Sequence, residues 1–160
     1  MKLTRNKTLL IVLLCAVAGA GLYLWQGTQD QTSGPVVLVP DNSTVIARGK
    51  TVYAEQCAAC HGSNLEGQPG WKKRRPDGTL LAPPHNETGH TWHHRDQLLF
   101  DLTKLGLKAL AGSDYKTDMP VYKDILSDAD IIATLSWIKS TWPADISQRH
   151  DQMNQTPTGN

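Results

Sequence analysis

Hydrophobic positions along this chain fall into two regimes separated by a polar stretch. An unbroken apolar run from Leu9 to Trp25 follows the basic residues Lys2, Arg5 and Lys7, and no charge returns until Asp30. Residues 26–42 are mostly polar and carry Gly27, Gly34, Pro35 and Pro40, interrupted by Val36-Val37-Leu38-Val39. From residue 43 onward the apolar positions recur at helical spacing. Val45, Gly49, Val52 and Tyr53 form one stripe behind the candidate N-caps Asn42, Ser43 and Thr44. A second helix is expected to begin near Thr91–Arg95 and to carry Leu98, Leu99, Leu102 and Leu105 as far as Gly106. A third stripe, Ile131, Leu135, Ile138 and Trp142, follows a capping box at Ser127-Asp128-Ala129-Asp130 and stops at Pro143. Gly49 in a helix interior costs roughly 1 kcal/mol. That cost predicts a close crossing by another helix, with the capping-box helix as the partner. The β-branched alternation that a sheet needs is nearly absent, so the fold class is all-α.

The N-terminal run reads as an export segment, basic end inside. Its 17 residues rise about 25 Å as a helix, the low end of what spans a bilayer. Ala18-Gly19-Ala20 fits a small-x-small cleavage site, yet Leu22, Tyr23, Leu24 and Trp25 continue the run. Residues 1–25 are therefore assigned as an uncleaved signal anchor, with a cleaved signal peptide as the alternative. Cys15 follows Leu14 rather than a small residue, which excludes a lipidation site. Residues 26–42 have a linker's composition, in which Val36–Val39 either packs on the domain or forms a short extended piece. The domain proper is assigned to residues 43–145. Residues 146–160 are assigned as a polar C-terminal tail, disordered toward Gln152–Asn160.

Charge and composition narrow the function classes. With 16 basic and 15 acidic residues the chain is no nucleic-acid binder. One apolar run and 39% hydrophobic residues exclude a polytopic membrane protein. A domain of about 100 residues buries little apolar surface on its own, so a large apolar group at its centre would help it fold.

Cys57-Ala58-Ala59-Cys60-His61 supplies a place for such a group. This is the attachment signature of a c-type haem. Two thiols three positions apart on one helical turn reach the two vinyl groups of one porphyrin, and the next residue offers its imidazole to the iron. Cys57 and Cys60 are thus the covalent attachment sites and His61 the proximal iron ligand. Zinc would need two further good ligands, and a thioredoxin-like pair would need a βαβ context that the pattern lacks.

Beyond that motif, Gly49-Lys50-x-x-Tyr53, Cys57-x-x-Cys60-His61-Gly62, Met119-Pro120 and a last helix bearing Trp137 together resemble the class I monohaem cytochrome c family over residues 43–143. The resemblance implies a bundle of short helices around one covalently attached haem c. It implies that the first and last helices cross where Gly49 and Tyr53 meet the Trp137 helix. It also implies that Met119 is the second axial iron ligand. The proline after it holds it in a defined loop, and Met1 and Met153 lie at the chain start and in the polar tail. Leu81-Ala82-Pro83-Pro84 resembles the family's proline segment, so the carbonyl of Pro83 or Pro84 is expected to accept the other ring N–H of His61.

His85, His90, His93 and His94 cluster in one segment. They are read as a polar loop and helix start, with copper or zinc binding, or ligation of the iron, as rivals. Trp92 and Arg95 are candidate haem-propionate partners, by an indole N–H and by charge. Lys72-Lys73-Arg74-Arg75 is a solvated loop or a patch that steers an acidic redox partner. The resulting expectation is a one-electron carrier with His/Met ligation, on the periplasmic side of a bacterial inner membrane, tethered there or soluble after signal cleavage. It would serve a dehydrogenase or terminal oxidase and would not itself be an enzyme. A haem-based sensor or a metal-binding module built on the His85–His94 cluster is the alternative.

Overall fold

The computed structural model describes residues 34–156, so the assigned export segment, Cys15 and the first part of the linker lie outside the described residues. Among the described residues six α-helices follow one another: α1 Ser43–Gln56, α2 Ala58–His61, α3 Asp96–Leu105, α4 Leu107–Ala111, α5 Asp128–Ser140 and α6 Ala144–Gln155. A turn of 3-10 helix spans Thr91–His93. The described residues contain no strand, only an isolated antiparallel bridge between Arg74 and Leu80. None of their helices is long and apolar enough to cross a membrane.

The first and fifth helices form the frame. Asn42 caps α1, its side-chain oxygen accepting the Val45 N–H at 3.1 Å. Ser127 caps α5 in the same way, its hydroxyl accepting the Asp130 N–H at 3.1 Å. Gly49 then lets the two backbones touch, because a Cβ there would overlap the carbonyl of Ala133. One turn further on, the Tyr53 and Trp137 rings lie 4.7 Å apart. Tyr53, Ile131, Leu135, Ile138 and Trp142 belong to a single buried cluster, which Leu99 and Phe100 join from α3. The expected α3 stripe is only half buried, for Leu98 and Leu105 face solvent.

One segment settles an open alternative and another departs from the sequence reading. Within the assigned linker, Val36–Val39 takes the first of its two expected forms and packs on the domain as a strap. Leu38 is buried, its N–H donating to Asp96 Oδ2 at 2.9 Å. The Val39 N–H reaches the Ser136 hydroxyl at 3.0 Å, and that of Val36 the Gln97 side chain at 3.2 Å.

The departure is at the C-terminus, where residues 144–155, which take in most of the assigned tail 146–160, form α6 instead. Its inward face holds just Ile146 and His150, too few apolar positions for a hydrophobic stripe. Polar contacts hold it in place. His150 is fully buried and donates from Nε2 to the His94 carbonyl at 2.9 Å. Asn154 accepts the Asp96 N–H at 2.9 Å and donates to Asp96 Oδ1 at 3.2 Å. Lys139 of α5 meets Asp151 at 2.5 Å.

Two outcomes are expected. Gly49→Ala forces the α1–α5 crossing apart and lowers stability by about 1–3 kcal/mol. Its denaturation midpoint is compared with that of the exposed neighbour Lys50→Ala, which stays close to wild type. The second concerns pH. Burial, then Lys139, lowers the His150 pKa, against Asp96, the His94 carbonyl and Asp151, which raise it. A lowered folded-state value means that His150 contributes stability above its unfolded pKa of about 6.5 and loses it as pH falls from there through the folded value. Denaturation midpoints measured from pH 8 downward should therefore fall less steeply for His150→Gln than for wild type.

Candidate functional site

The site begins where α1 ends. The Cys57 N–H donates to the Tyr53 carbonyl at 2.9 Å, and the Cys57 carbonyl accepts from Cys60 at 3.1 Å and from His61 at 2.9 Å. The pentapeptide is therefore wound as one tight turn. Neither Cys57, half-buried, nor Cys60, exposed, is in a disulfide. Burial, with a smaller push from Cys60, raises the Cys57 thiol to about 11, which keeps it protonated at neutral pH.

His61 is 8% exposed, and its Nδ1 lies 2.8 Å from the Pro83 carbonyl oxygen. A carbonyl accepts and never donates, so the ring proton sits on Nδ1 and Nε2 keeps its lone pair. Burial lowers the pKa of His61, with the Pro83 bond working against it. Of the two candidate prolines, Pro83 makes this contact. Pro84 is buried, with its carbonyl against Gly89.

A short zipper between residues 65–68 and 82–86 places the Pro83 carbonyl. Gln68 N–H donates to the Ala82 carbonyl at 2.9 Å, and the Ala82 N–H returns to the Gln68 side chain at 3.0 Å. The Leu65 carbonyl accepts from His85 at 2.8 Å and from Asn86 at 3.3 Å. Leu65 adopts a φ of 65°, a left-handed conformation that costs a non-glycine residue roughly 1–2 kcal/mol. Its side chain is buried in the core cluster. Gly67 has a φ of 67°, and a Cβ there would lie 2.6 Å from the Pro83 carbonyl carbon. No other residue type fits so close a passage.

Met119 is half-buried and packs against the same core cluster as Cys57 and Ala58. Its N–H donates to the Thr117 hydroxyl at 3.0 Å. Tyr122 anchors the loop that follows, donating to the Gln56 carbonyl at 2.8 Å, one residue before Cys57. Burial foremost, then Cys57 and Cys60, pushes the Tyr122 phenol up to about 12. Arg75 holds Asp118 at 2.7 Å on the outer side of the loop.

The four clustered histidines do not converge. His85 turns inward and stacks on His61, ring centroids 4.0 Å apart. His90 stacks on Trp71 at 5.5 Å, His93 on Trp92 at 3.6 Å, and His94 meets His90 edge-on at 5.3 Å. Among the described residues no group of three or more His, Cys, Asp or Glu side chains is arranged to hold a metal ion. His90 and His94 stay in ring contact with each other, while His85 and His93 stack on other rings. His85, flat against His61, stands on that residue's own side and is badly placed to serve as a ligand opposite it.

Trp92 and Arg95 also point elsewhere than expected. The Trp92 indole N–H donates to the Glu87 carbonyl at 3.3 Å, and Arg95 Nη1 donates to the Thr156 carbonyl at 2.6 Å, at the end of α6. Arg95 is engaged because α6 exists, which the sequence reading did not foresee. The basic run is similarly occupied: Lys72 lies over the Trp71 ring, and Arg74 lies over Tyr115 and bonds the Gly78 carbonyl.

The residues brought together fit a covalently held haem. Two unpaired cysteines lie on one turn, a buried imidazole has its Nδ1 engaged and its Nε2 free to ligate, and a thioether packs on the same core. Sequence reasoning missed Leu65, Gln68, Thr91 and Tyr122. Of these only Tyr122 left a signal, an aromatic hydroxyl three positions after Met119.

Comparison with known proteins adds two findings. The family model described as Cytochrome c matches residues 46–142, more than half of the chain. A thiosulfate dehydrogenase from Stutzerimonas stutzeri (strain A1501) is 42% identical over 50 residues, which is 31% of this chain and 14% of that protein. No solved structure gives a significant match.

Proposed function

Because the chain belongs to the cytochrome c family, we propose that it carries single electrons on a haem iron held between His61 and Met119. Family membership makes it a haem-binding electron carrier. The ligand pair, the location and the partners are the added reading. Attached through Cys57 and Cys60, the haem supplies an Fe(III)/Fe(II) couple.

The protein's part is to hold that couple still. Pro83 fixes the His61 tautomer and raises its basicity as a donor. Tyr53 ties the turn after His61, its hydroxyl donating to the Gly62 carbonyl at 2.8 Å. Tyr122 ties the Met119 loop to the end of α1. Ligands held this firmly need little rearrangement when an electron arrives or leaves, and a thioether raises the reduction potential relative to a second imidazole. With His61 and Met119 both holding the iron, no position would be left for substrate, and the protein would act as a carrier rather than an enzyme.

The apolar run Leu9–Trp25 behind Lys2, Arg5 and Lys7 supports delivery to the periplasm, tethered by that run or released after cleavage. A dehydrogenase or terminal oxidase would be the redox partner. The local likeness to a thiosulfate dehydrogenase supports the former, although the matched stretch is about a seventh of that protein's length.

The observation that carries the reading is the His61–Pro83 contact, because it leaves Nε2 of a buried imidazole as the donor atom directly after Cys60. The test is the visible spectrum of the ferric protein beside Met119→Ala. Wild type is expected to show the weak far-red band of iron–thioether bonding. The variant should lose that band and shift to a lower potential. A wild-type spectrum without the band, unchanged in the variant, would assign the sixth position to another group and overturn the Met119 assignment.

A further inference from the structure

We propose that His85 is a positioning residue which sets the orientation of the His61 ring by stacking flat on its face. The inference rests on the reading of His61 as axial ligand and extends it to a second imidazole.

The Pro83 bond fixes where Nδ1 lies, but carbonyl oxygens accept over a broad range of directions. One such bond leaves the ring free to tilt about its own hydrogen-bond axis. A second flat ring against its face removes that freedom. The His85 and His61 centroids are 4.0 Å apart and the planes 25° from parallel.

A positioning group must itself be held, and His85 is held from three directions. Its N–H donates to the Leu65 carbonyl at 2.8 Å. Its carbonyl accepts the Trp142 indole N–H at 2.8 Å, from just beyond the end of α5. Its Nδ1 is paired with the hydroxyl of Thr91, itself buried, at 2.7 Å. The Tyr53 ring closes on it edge-on at 6.3 Å. An aliphatic side chain here would fill the space yet present no flat face and no atom for Thr91. The orientation of an axial imidazole decides how its π orbitals overlap the iron d orbitals, so holding that ring tunes the metal without touching it.

The test is the low-temperature electron paramagnetic resonance spectrum of the ferric holoprotein, with the reduction potential and melting midpoint measured alongside. Wild type is expected to give a single narrow low-spin signal. His85→Ala should broaden or split the low-field line and displace the potential, because His61 then samples several orientations. His85→Phe, which keeps a flat ring but gives Thr91 no partner, should restore a single narrow line. Should the Ala variant not accumulate as holoprotein, His85→Leu takes its place and is expected to broaden the line likewise.

The proposal is overturned if the Ala or Leu variant keeps the wild-type line and potential, or if Phe restores neither. A lowered melting midpoint with an unmoved line would mean a merely structural role, and overturns it too. The reading of an iron held between His61 and a second strong ligand fails separately, on wild type alone, if the ferric protein gives no low-spin signal.

Discussion

The contact between Gly49 and the Ala133 carbonyl is the constraint from which the rest of the arrangement follows. It brings α1 and α5 to backbone distance, and each helix then sends one aromatic side chain to the site. From α1, Tyr53 reaches the Gly62 carbonyl, directly after His61. From the end of α5, Trp142 reaches the carbonyl of His85. One anchored residue directly follows His61 and the other is His85, so each ring of the stacked imidazole pair is tied to one of the two helices. A wider crossing would move both anchors at once. A single glycine without a side chain therefore governs the geometry of a site that begins eight residues away, at Cys57.

A second, polar centre ties both ends of the described chain to the domain. The Asp96 carboxylate accepts from Leu38 of the N-terminal strap through one oxygen and from Asn154 of α6 through the other. Burying a carboxylate is costly unless its oxygens are bonded. Here the bonds come from the two ends of the described chain, with His150 adjacent at 3.5 Å. The strap and the last helix therefore belong to the domain because one buried acid needs them both.

What the sequence disclosed and what it concealed divide along the same physical line. Elements held by apolar packing were legible: the α1 stripe ending at Tyr53, the α5 stripe from Ile131 to Trp142, and the glycine at the crossing. So were the Asn42 and Ser127 caps, whose bonds are local in sequence. Elements held by polar contacts between distant residues were not. The helix from Ala144 to Gln155 carries two inward residues four apart, and no hydropathy pattern announces a buried His150. Within the site, the pentapeptide declared its chemistry by spacing alone. Its supporting shell did not, because the Leu65–Gln68 zipper and the Thr91–His85 pair join residues whose adjacency only the fold creates. The histidine segment was the least legible part. Four imidazoles in ten residues read as a polar loop with a metal site as rival, and no spacing foretold that His85 would stack on His61, His90 on Trp71 and His93 on Trp92.

These features support the proposed carrier, whose ligands would be fixed before any electron arrives. Covalent attachment would remove the freedom of the haem, the Pro83 bond and the proposed His85 stack would restrict the proposed His61 ligand, and Tyr122 restrains the loop of the proposed thioether ligand. The measurement that bears most directly on this account is exposure of the ferrous protein to carbon monoxide, followed in its visible spectrum. Iron held on both sides by fixed ligands has no position to offer, and the account predicts a spectrum unchanged by the gas. Rapid formation of a carbon monoxide adduct would mean that one axial position is open or labile, and would contradict it.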